Sequence, residues 1–444
     1  MNWLAILSYI CLSVAIYAQW ECKPLTIGLL IAALLVTIVG CSVKRWRGHV
    51  GRWFGVVLAL GAVLSFYEFV SRDLNNAIGH YRPTGFTWSL RIAALATLTY
   101  FWPQFRWPNI RLFILFALFL FTGAMLIPET AHPEPWIDVW HFQQKGNEEL
   151  MAGRNPYAKE YQNIYYPDTN YYGPKVVTAD DQRIISCPYP PFSLLLALPG
   201  YLCGDVRWSI LAAMAGSALL LVLIGRRLGL PAGHPIELIA VLLLFRPSAL
   251  LMLGSTWTEP LLALMAGFAG LALASGSRIG LIFAAAGLAA VKQYGIFCLP
   301  ALAAVAPLRW RDWLWAAGLA ALVALPFAIW DFSALWRGVV LFQIYQPFRE
   351  DSVSVLAIYA RETGARPSSA IGFIMAGLIA LVVVWRAGGR AIVFPVGSTA
   401  ILLAFFLFNK QAFINYFWFV SYLAAMGAVF AAAPSSSQGI HHAR

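Results

Sequence analysis

The chain has 444 residues, of which 60% are hydrophobic and 11% are charged, and its formal net charge is +11. In a soluble protein about a quarter of the residues are charged. In this chain, apolar stretches of about 17 residues or more recur, each long enough to cross a bilayer. This composition excludes a soluble enzyme, a disordered chain and a fibrous protein. It predicts an all-α fold, a polytopic membrane helix bundle.

Hydropathy predicts about 14 transmembrane helices. They are the spans 3–19, 25–43, 53–70, 86–102, 111–127, 209–224, 236–253, 257–274, 279–291, 295–306, 312–330, 367–386, 391–408 and 412–431. Two of them, 279–291 and 295–306, are too short to cross fully, so we expect a half-length pair that turns inside the bundle. The first span lacks a basic segment before it and a cleavage site after it, which predicts a retained anchor.

Clusters of Lys and Arg between the spans predict the orientation, because cytoplasmic loops carry an excess of these residues. All clusters fall on one side if the N-terminus is cytoplasmic and if 188–203 is an interfacial helix that does not cross. Residues 128–208 are then a first extracytoplasmic loop with juxtamembrane helices, 331–366 a second such loop, and 432–444 a cytoplasmic tail. The clusters are Lys44, Arg45, Arg47 and Arg52; Arg106 and Arg111; Arg226 and Arg227; Arg309 and Arg311; Arg386 and Arg390.

The basic residues do not predict a nucleic-acid partner, because no basic stripe is interleaved with aromatic residues. Seven His and six Cys residues include no Cys-x-x-Cys pair, which argues against a zinc or iron–sulfur framework. No metal ligand is therefore predicted.

The first extracytoplasmic loop contains the predicted catalytic acid, Asp138, early in a helix predicted over 135–152. Its carboxylate could accept a proton or orient a nucleophile beside a cavity at the membrane surface. Alternatively, it is a helix-start acid favoured by the macrodipole, which would keep its pKa low. His141 follows on the same face at i+3, either as a substrate-binding residue or as a polar residue of the interface.

Tyrosines are dense in the rest of this loop, and they either anchor it at the headgroup layer or stack on sugar rings. The loop ends in Cys187-Pro188-Tyr189-Pro190-Pro191, a rigid extended segment, and Tyr189 is predicted to contact substrate. The preceding tyrosines are Tyr157, Tyr161, Tyr165, Tyr166, Tyr171 and Tyr172.

Polar residues at membrane depth are costly and usually mark function. Lys292, with Gln293 at the turn of the half-length pair, could neutralise a phosphate or could instead snorkel or pair with an acid. Glu259 could bind substrate hydroxyls or balance Lys292 or Arg246. Arg349 in the second loop and Lys410 in the last outer turn complete the predicted substrate and lipid-phosphate site.

Together these motifs resemble the GT-C superfamily of integral-membrane glycosyltransferases, and in particular the bacterial family 87 enzymes, which use polyprenyl-phosphate sugars. The resemblance implies a catalytic bundle over 108–431, preceded by four additional transmembrane helices over 1–107. It rests on Asp138, Gly153-Arg154-Asn155-Pro156-Tyr157, Tyr189-Pro190-Pro191, Arg226-Arg227, Glu259, and Lys292 followed by a helix containing Pro300.

The resemblance implies transfer, with inversion, of a hexose such as mannose from a polyprenyl-phosphate donor to a glycan, lipid or protein acceptor outside the bacterial inner membrane. Asp138 would be the base or the orienter of the acceptor, and Lys292, with Arg349 and Lys410, would stabilise the leaving phosphate. No cofactor is implied beyond the donor, and use of a divalent metal stays open, as does the oligomeric state. The alternatives are a flippase or transporter of lipid-linked glycans and a non-catalytic scaffold of envelope assembly.

Overall fold

A computed structural model describes residues 3–18, 24–42, 58, 61, 84–101, 105–129, 134–167 and 171–434. The described chain is mostly helical, which confirms the all-α prediction. Its two short strands, β1 (Tyr161–Gln162) and β2 (Arg183–Ile184), pair antiparallel inside the loop that follows the first helices. The predicted span 53–70, the basic residues 44–52 and the tail beyond residue 434 lie outside the described residues or almost wholly so.

In the described residues, four helices precede the first long loop, each over a predicted span. They are α1 (Trp3–Ala18), α2 (Pro24–Ser42), α3 (Thr84–Leu98) and α4 (Pro108–Glu129). Inside the loop, α5 (Asp138–Met151) confirms the helix predicted over 135–152, and α6 (Pro191–Leu202) follows Tyr189-Pro190. Pro191 suits the first turn of α6 because a proline there loses no intrahelical hydrogen bond.

The middle of the chain contains short and interrupted helices. The predicted span 236–253 is broken, and its two parts are bent by 43°, because Pro247 cannot continue the preceding helix. Lys292 has an extended backbone (φ −152°, ψ 142°) and ends the first half of the predicted half-length pair. The elements are α7 (Arg207–Arg227), α8 (Leu238–Leu244), α9 (Pro247–Gly254), α10 (Glu259–Ser275), α11 (Arg278–Val291), a 3-10 helix (Gln293–Cys298) and α12 (Leu299–Ala303).

The last third begins with a long helix, α13 (Trp310–Trp336), which continues beyond the predicted boundary at residue 330. Asp331 kinks it, and the Asp331 carboxylate then accepts a hydrogen bond from the Ala334 amide (2.9 Å), which starts the helix again. A π-helical turn (Arg337–Leu341) follows. The remaining helices are α14 (Phe342–Tyr345), α15 (Val355–Thr363), α16 (Ala370–Arg386), α17 (Val393–Leu407) and α18 (Ile414–Ala432). The predicted second loop is therefore partly helical.

Several helices are apolar enough to indicate a membrane protein. Five segments of the described chain have the length and composition to cross a bilayer, or six if the bent pair α8–α9 counts as one span. The others are shorter apolar helices, so about 14 crossings remains a prediction. The five segments are Pro24–Cys41, Pro108–Pro128, Arg207–Arg227, Trp310–Tyr345 and Ile414–Ala432.

The centre of the bundle is α18, which packs against α1, α7, α10 and α17. A second, smaller core joins the first loop to α13 and α14, where Phe142, Tyr161, Phe327 and Phe342 are buried together. Aromatic side chains bury large areas and prefer edge-to-face contacts, and Phe142 meets Tyr161 in this way at 5.1 Å. This core holds α5 over the ends of the membrane helices.

Candidate functional site

A cavity of about 960 Å³ lies between the first loop and the ends of α11, α14, α17 and α18. It brings together residues that are far apart in the chain. Of the predicted site residues, six line it and two, Glu259 and His141, do not. The six are Asp138, Tyr189, Lys292, Gln293, Arg349 and Lys410.

Asp138 is the first residue of α5 and faces the cavity. Its Oδ1 accepts a hydrogen bond from the Val139 amide (2.7 Å), and its Oδ2 accepts one from the Tyr172 hydroxyl. Burial raises the pKa of Asp138, and these hydrogen bonds offset only part of that rise. The low pKa expected from the macrodipole is therefore wrong, because desolvation outweighs the field of the helix end.

Five of the tyrosines of the loop divide into two groups. Tyr157 and Tyr161 are buried in the small aromatic core, whereas Tyr165, Tyr171 and Tyr172 line the cavity around Asp138. The ring of Tyr165 contacts those of Tyr171 and Tyr172, with centroids 4.8 and 6.2 Å away. Sequence reasoning did not single out Tyr172, although its place in a tyrosine-rich segment of the same loop was a signal.

Lys292 is both paired with an acid and exposed to the cavity, so it does not snorkel to the surface. Its Nζ donates a hydrogen bond to Glu259 Oε1 at 2.5 Å. The same ammonium lies 5.3 to 5.6 Å from the ring centroids of Tyr294, Tyr416 and Tyr189, within range of cation–π attraction. The backbone at Lys292 is extended and lies between two helices, and it directs the side chain toward these three rings.

Glu259 is fully buried behind Lys292, at the start of α10. Its Oε1 also accepts hydrogen bonds from the Tyr294 hydroxyl (2.6 Å) and the Asn415 amide (2.8 Å). Of its two predicted roles, this geometry supports the balancing of Lys292 and not contact with a substrate. The turn before it is strained, since Thr256 has φ 56°, which is unfavourable for a β-branched residue.

Gln293 and Lys410 line the cavity while they brace its walls. Gln293 Nε2 donates to the carbonyls of Pro188 (2.8 Å) and Val339 (3.1 Å), which ties the first loop to the π-helical turn. Lys410 Nζ donates to two backbone carbonyls at the end of α14, those of Ile344 (3.0 Å) and Gln346 (2.7 Å). Burial lowers the pKa of Lys410.

Arg349 stands at the mouth of the cavity. Its guanidinium lies 3.9 Å from the ring centroid of Tyr171 and 5.0 Å from that of Phe413. It also makes a two-point contact with the carboxylate of Asp351, at 2.7 and 2.5 Å. Arg349 is thus held over Tyr171, close to Asp138, and its charge opposes the rise that burial causes in the pKa of Asp138.

His141 does not line the cavity in the described chain. Its Nδ1 is 3.7 Å from Glu134 Oε2, and its ring meets that of Trp140 edge-on at 5.2 Å. Burial lowers the pKa of His141. On the shared face of α5, Phe142 at i+4 takes the cavity position instead, so the predicted substrate contact of His141 is not found.

One side of the cavity is apolar. Phe297, Phe373 and Phe405 line it, and their rings pack against one another in tilted and edge-to-face contacts, with centroid distances of 4.3 to 6.0 Å. Phe373 and Ile296 also stand at the outer surface of the bundle, 56% and 49% exposed. The cavity therefore extends from its polar end to the apolar flank between the 3-10 helix and α16.

No group of three or more His, Cys, Asp and Glu side chains in the described ranges is arranged to hold a metal ion. No protein-family model, curated protein or solved structure matches the chain.

Proposed function

We propose that the protein is a membrane glycosyltransferase of the GT-C kind. It would move a hexose, such as mannose, from a polyprenyl phosphate to a glycan, lipid or protein acceptor, with inversion at the anomeric carbon. The observation that carries the proposal is a cavity in which a carboxylate (Asp138), a buried cation (Lys292) and an apolar flank (Phe297, Phe373) meet. Each would serve one part of such a substrate pair: acceptor hydroxyl, phosphate and lipid chain.

In this mechanism the acceptor hydroxyl oxygen attacks the anomeric carbon while the bond from that carbon to the phosphate oxygen breaks. The hydroxyl proton passes to Asp138, and the phosphate leaves with the lipid. The raised pKa of Asp138 supports this role, because a carboxylate with a raised pKa is a stronger base than an ordinary aspartate. The Tyr172 hydroxyl donates its hydrogen bond to Oδ2 of Asp138, so the proton would pass to Oδ1.

Lys292 would stabilise the charge that develops on the leaving phosphate. An ammonium group has three N–H donors, and Glu259 uses one of them, so donors remain for phosphate oxygens. Electrostatic groups that are already in place before reaction are typically worth a few kcal/mol each. Tyr189, Tyr294 and Tyr416 surround the ammonium and hold it in position.

The apolar flank would accept the first part of the polyprenyl chain. In a protein whose helices lie in a bilayer, exposed Phe373 and Ile296 face hydrocarbon, so a lipid-linked donor could enter sideways with its phosphate leading. This proposal includes about 14 membrane crossings and a cavity that opens on the extracytoplasmic side of the bacterial inner membrane.

The test is incubation of the purified full-length protein with polyprenyl-phosphate hexoses and with envelope glycans, lipids and proteins. The expected result is a product with one added hexose, together with free polyprenyl phosphate. Mass spectrometry of envelope glycans and lipids from cells with and without the gene would identify the missing sugar. No transfer to any acceptor and an unchanged envelope would overturn the proposal.

A transporter of lipid-linked glycans is the second candidate. The specific observation in its favour is the broken pair α8–α9, bent by 43°, because many transporters contain interrupted helices. Flux of lipid-linked sugar in proteoliposomes without any transferred product would favour this candidate. Product formation without flux would favour the glycosyltransferase.

A further inference from the structure

Gln293 joins two separate segments of the chain at the wall of the cavity. Its Nε2 donates one hydrogen bond to the carbonyl of Pro188 (2.8 Å), at the end of the first loop, and one to the carbonyl of Val339 (3.1 Å), in the π-helical turn. The amide nitrogen of a glutamine has two N–H groups, so both are used. An amide rotated by 180° would point Oε1 at two carbonyl oxygens, so these contacts fix which way the side chain faces.

The two carbonyls that hold this amide are themselves fixed by close packing. Gly338 of the π-helical turn lies directly on the first loop, where a Cβ would collide with the Cys187 carbonyl and the Ser186 hydroxyl. The Ser186 hydroxyl donates to the carbonyl of Tyr157 (2.8 Å), whose ring is buried in the small aromatic core. The amide of Gln293 is therefore held in place before any substrate binds, which is the condition for a group that selects its ligand.

The oxygen of this amide is the polar atom left for a ligand. Gln293 is half-buried and lines the cavity. Because its N–H groups point at protein carbonyls, the side chain offers the cavity Oε1, which has two lone pairs and can only accept hydrogen bonds. A hydroxyl can donate to such an oxygen, whereas an ionised phosphate or carboxylate cannot. The side chain therefore favours a ligand hydroxyl.

The neighbours of Gln293 place this oxygen beside the sugar of the proposed donor. Lys292 precedes it in the chain and lines the same cavity, and in the proposed function the Lys292 ammonium binds the phosphate. Tyr189, which follows Pro188, has its ring centroid 5.6 Å from that ammonium. Since one oxygen atom links the phosphate to the anomeric carbon, a polar group next to the phosphate meets hydroxyls of the hexose.

We propose that Oε1 of Gln293 accepts a hydrogen bond from a ring hydroxyl of the transferred hexose and so selects the donor sugar. The inference rests on the proposed function and adds the side chain that distinguishes one hexose from another. A donor without that hydroxyl leaves Oε1 unpaired, and sites that bond a hydroxyl reject the analogue that lacks it. For a half-buried neutral amide we expect a loss of about 10- to 100-fold in kcat/KM.

The test compares the polyprenyl-phosphate hexose that is transferred fastest with its monodeoxy analogues, on the full-length protein. One analogue should show the loss of about 10- to 100-fold, and Q293M should abolish the difference, because Met has a similar length and no strong acceptor. The ratio of two kcat/KM values on one preparation does not depend on the folded fraction, so partial unfolding of Q293M does not affect it. The matched control is Q343M. Gln343 lines the same cavity and donates to the same Pro188 carbonyl (3.4 Å), and this variant should keep the preference.

A second measurement locates the contact and requires no variant. It is a structure of the unaltered protein with a polyprenyl phosphonate hexose, in which carbon replaces the bridging oxygen so that transfer cannot occur. A sugar hydroxyl should lie within about 3 Å of Oε1, and a phosphonate oxygen or the lipid at that place would overturn the proposal. Equal kcat/KM for all analogues, or a preference that persists in Q293M, would also overturn it, while sugar transfer itself would stand. No transfer and no binding of the phosphonate would overturn the proposed function together with this inference.

Discussion

Glu259 and Lys292 form an ion pair at the inner wall of the cavity, with Oε1 and Nζ 2.5 Å apart and Glu259 fully buried. The acid comes from the first turn of α10 and the base from the break after α11. Mutation of Lys292 alone would therefore change both the stability of the protein and the proposed binding of phosphate. A matched change at Glu259 separates these two effects.

Lys292→Met should abolish transfer and destabilise the protein. Removing one partner leaves the Glu259 carboxylate buried without its cation, which typically costs about 3–5 kcal/mol. The double variant K292M/E259Q should regain most of that stability, because Tyr294 and Asn415 can still bond a neutral amide, yet it should remain inactive. Chemical unfolding and a transfer assay on the same preparations measure both quantities. Activity in the double variant would exclude Lys292 from phosphate binding.

Asp138→Asn should abolish transfer while it leaves the fold intact or makes it more stable. The folded-state pKa of Asp138 is raised above its unfolded value, so the contribution of this group to stability is full below about pH 4 and is lost as the pH rises through the folded pKa. Ionisation of the buried carboxylate is therefore unfavourable to the folded state, and Asn removes that effect.

The measurement is the melting temperature at pH 7 beside the transfer rate, with Asp180→Asn as the control. Asp180 is an exposed acid of the same loop whose Oδ1 accepts hydrogen bonds from Thr178 and Gln182. An amide oxygen can still accept these bonds, so this variant should keep its activity and lose little stability. If D138N retained full activity, the carboxylate would not be the base.

The acidic limb of the pH–rate profile should lie above about pH 4, which is the ordinary pKa of an aspartate. The reason is that the base must be ionised and that burial raises the pKa of Asp138. The hydrogen bond from Tyr172 lowers that pKa. Tyr172→Phe should therefore move the acidic limb to still higher pH. Tyr171→Phe retains the ring over which Arg349 lies and should leave the limb in place. A Y172F profile that coincides with the unaltered one would contradict this role of the hydroxyl.

The helices could be predicted from the sequence because the thickness of a bilayer sets the length of an apolar run. α1, α2, α4, α7, α17 and α18 each cover a predicted span within a few residues. The break at Arg246 was missed, although Pro247 is a direct signal for it. The polar Asp331 predicts the end of the helix at residue 330, but its carboxylate caps the next turn and α13 continues.

The composition of the site was predicted better than its contacts. Asp138, Lys292 and four further residues do line one cavity, since polar side chains at the same ends of neighbouring helices have little choice of location. The sequence could not say that Glu259 lies behind Lys292 or that Tyr172 bonds Asp138, because these contacts depend on how the loop packs on α13 and α14. His141 was misplaced because neighbours on one helix face need not share an environment.

Lys410→Gln should affect stability more than transfer. Lys410 Nζ bonds the carbonyls of Ile344 and Gln346 at the end of α14, where a positive charge stabilises a helix. Losing hydrogen bonds from a charged donor should cost about 1–3 kcal/mol of unfolding free energy. The transfer rate should fall much less than in K292M. The control is Lys175→Gln, which changes an exposed lysine near the same helix. A loss of transfer rate in K410Q as large as that in K292M would place Lys410 on the phosphate.

Phe373→Ser should weaken the binding of long-chain donors specifically. Phe373 joins the apolar lining of the cavity to the exposed outer surface of the bundle, where the proposed polyprenyl chain would pass. Loss of the ring should raise KM for a long-chain donor about tenfold, equivalent to about 1.4 kcal/mol, because apolar contact is removed. A donor with a short, water-soluble chain does not reach the flank and should keep its KM.

Leu378→Ser alters an exposed apolar residue of the same helix that does not line the cavity, and the KM of this variant should not change for either donor. Equal increases for long and short donors in F373S would mean that the lipid enters by another route.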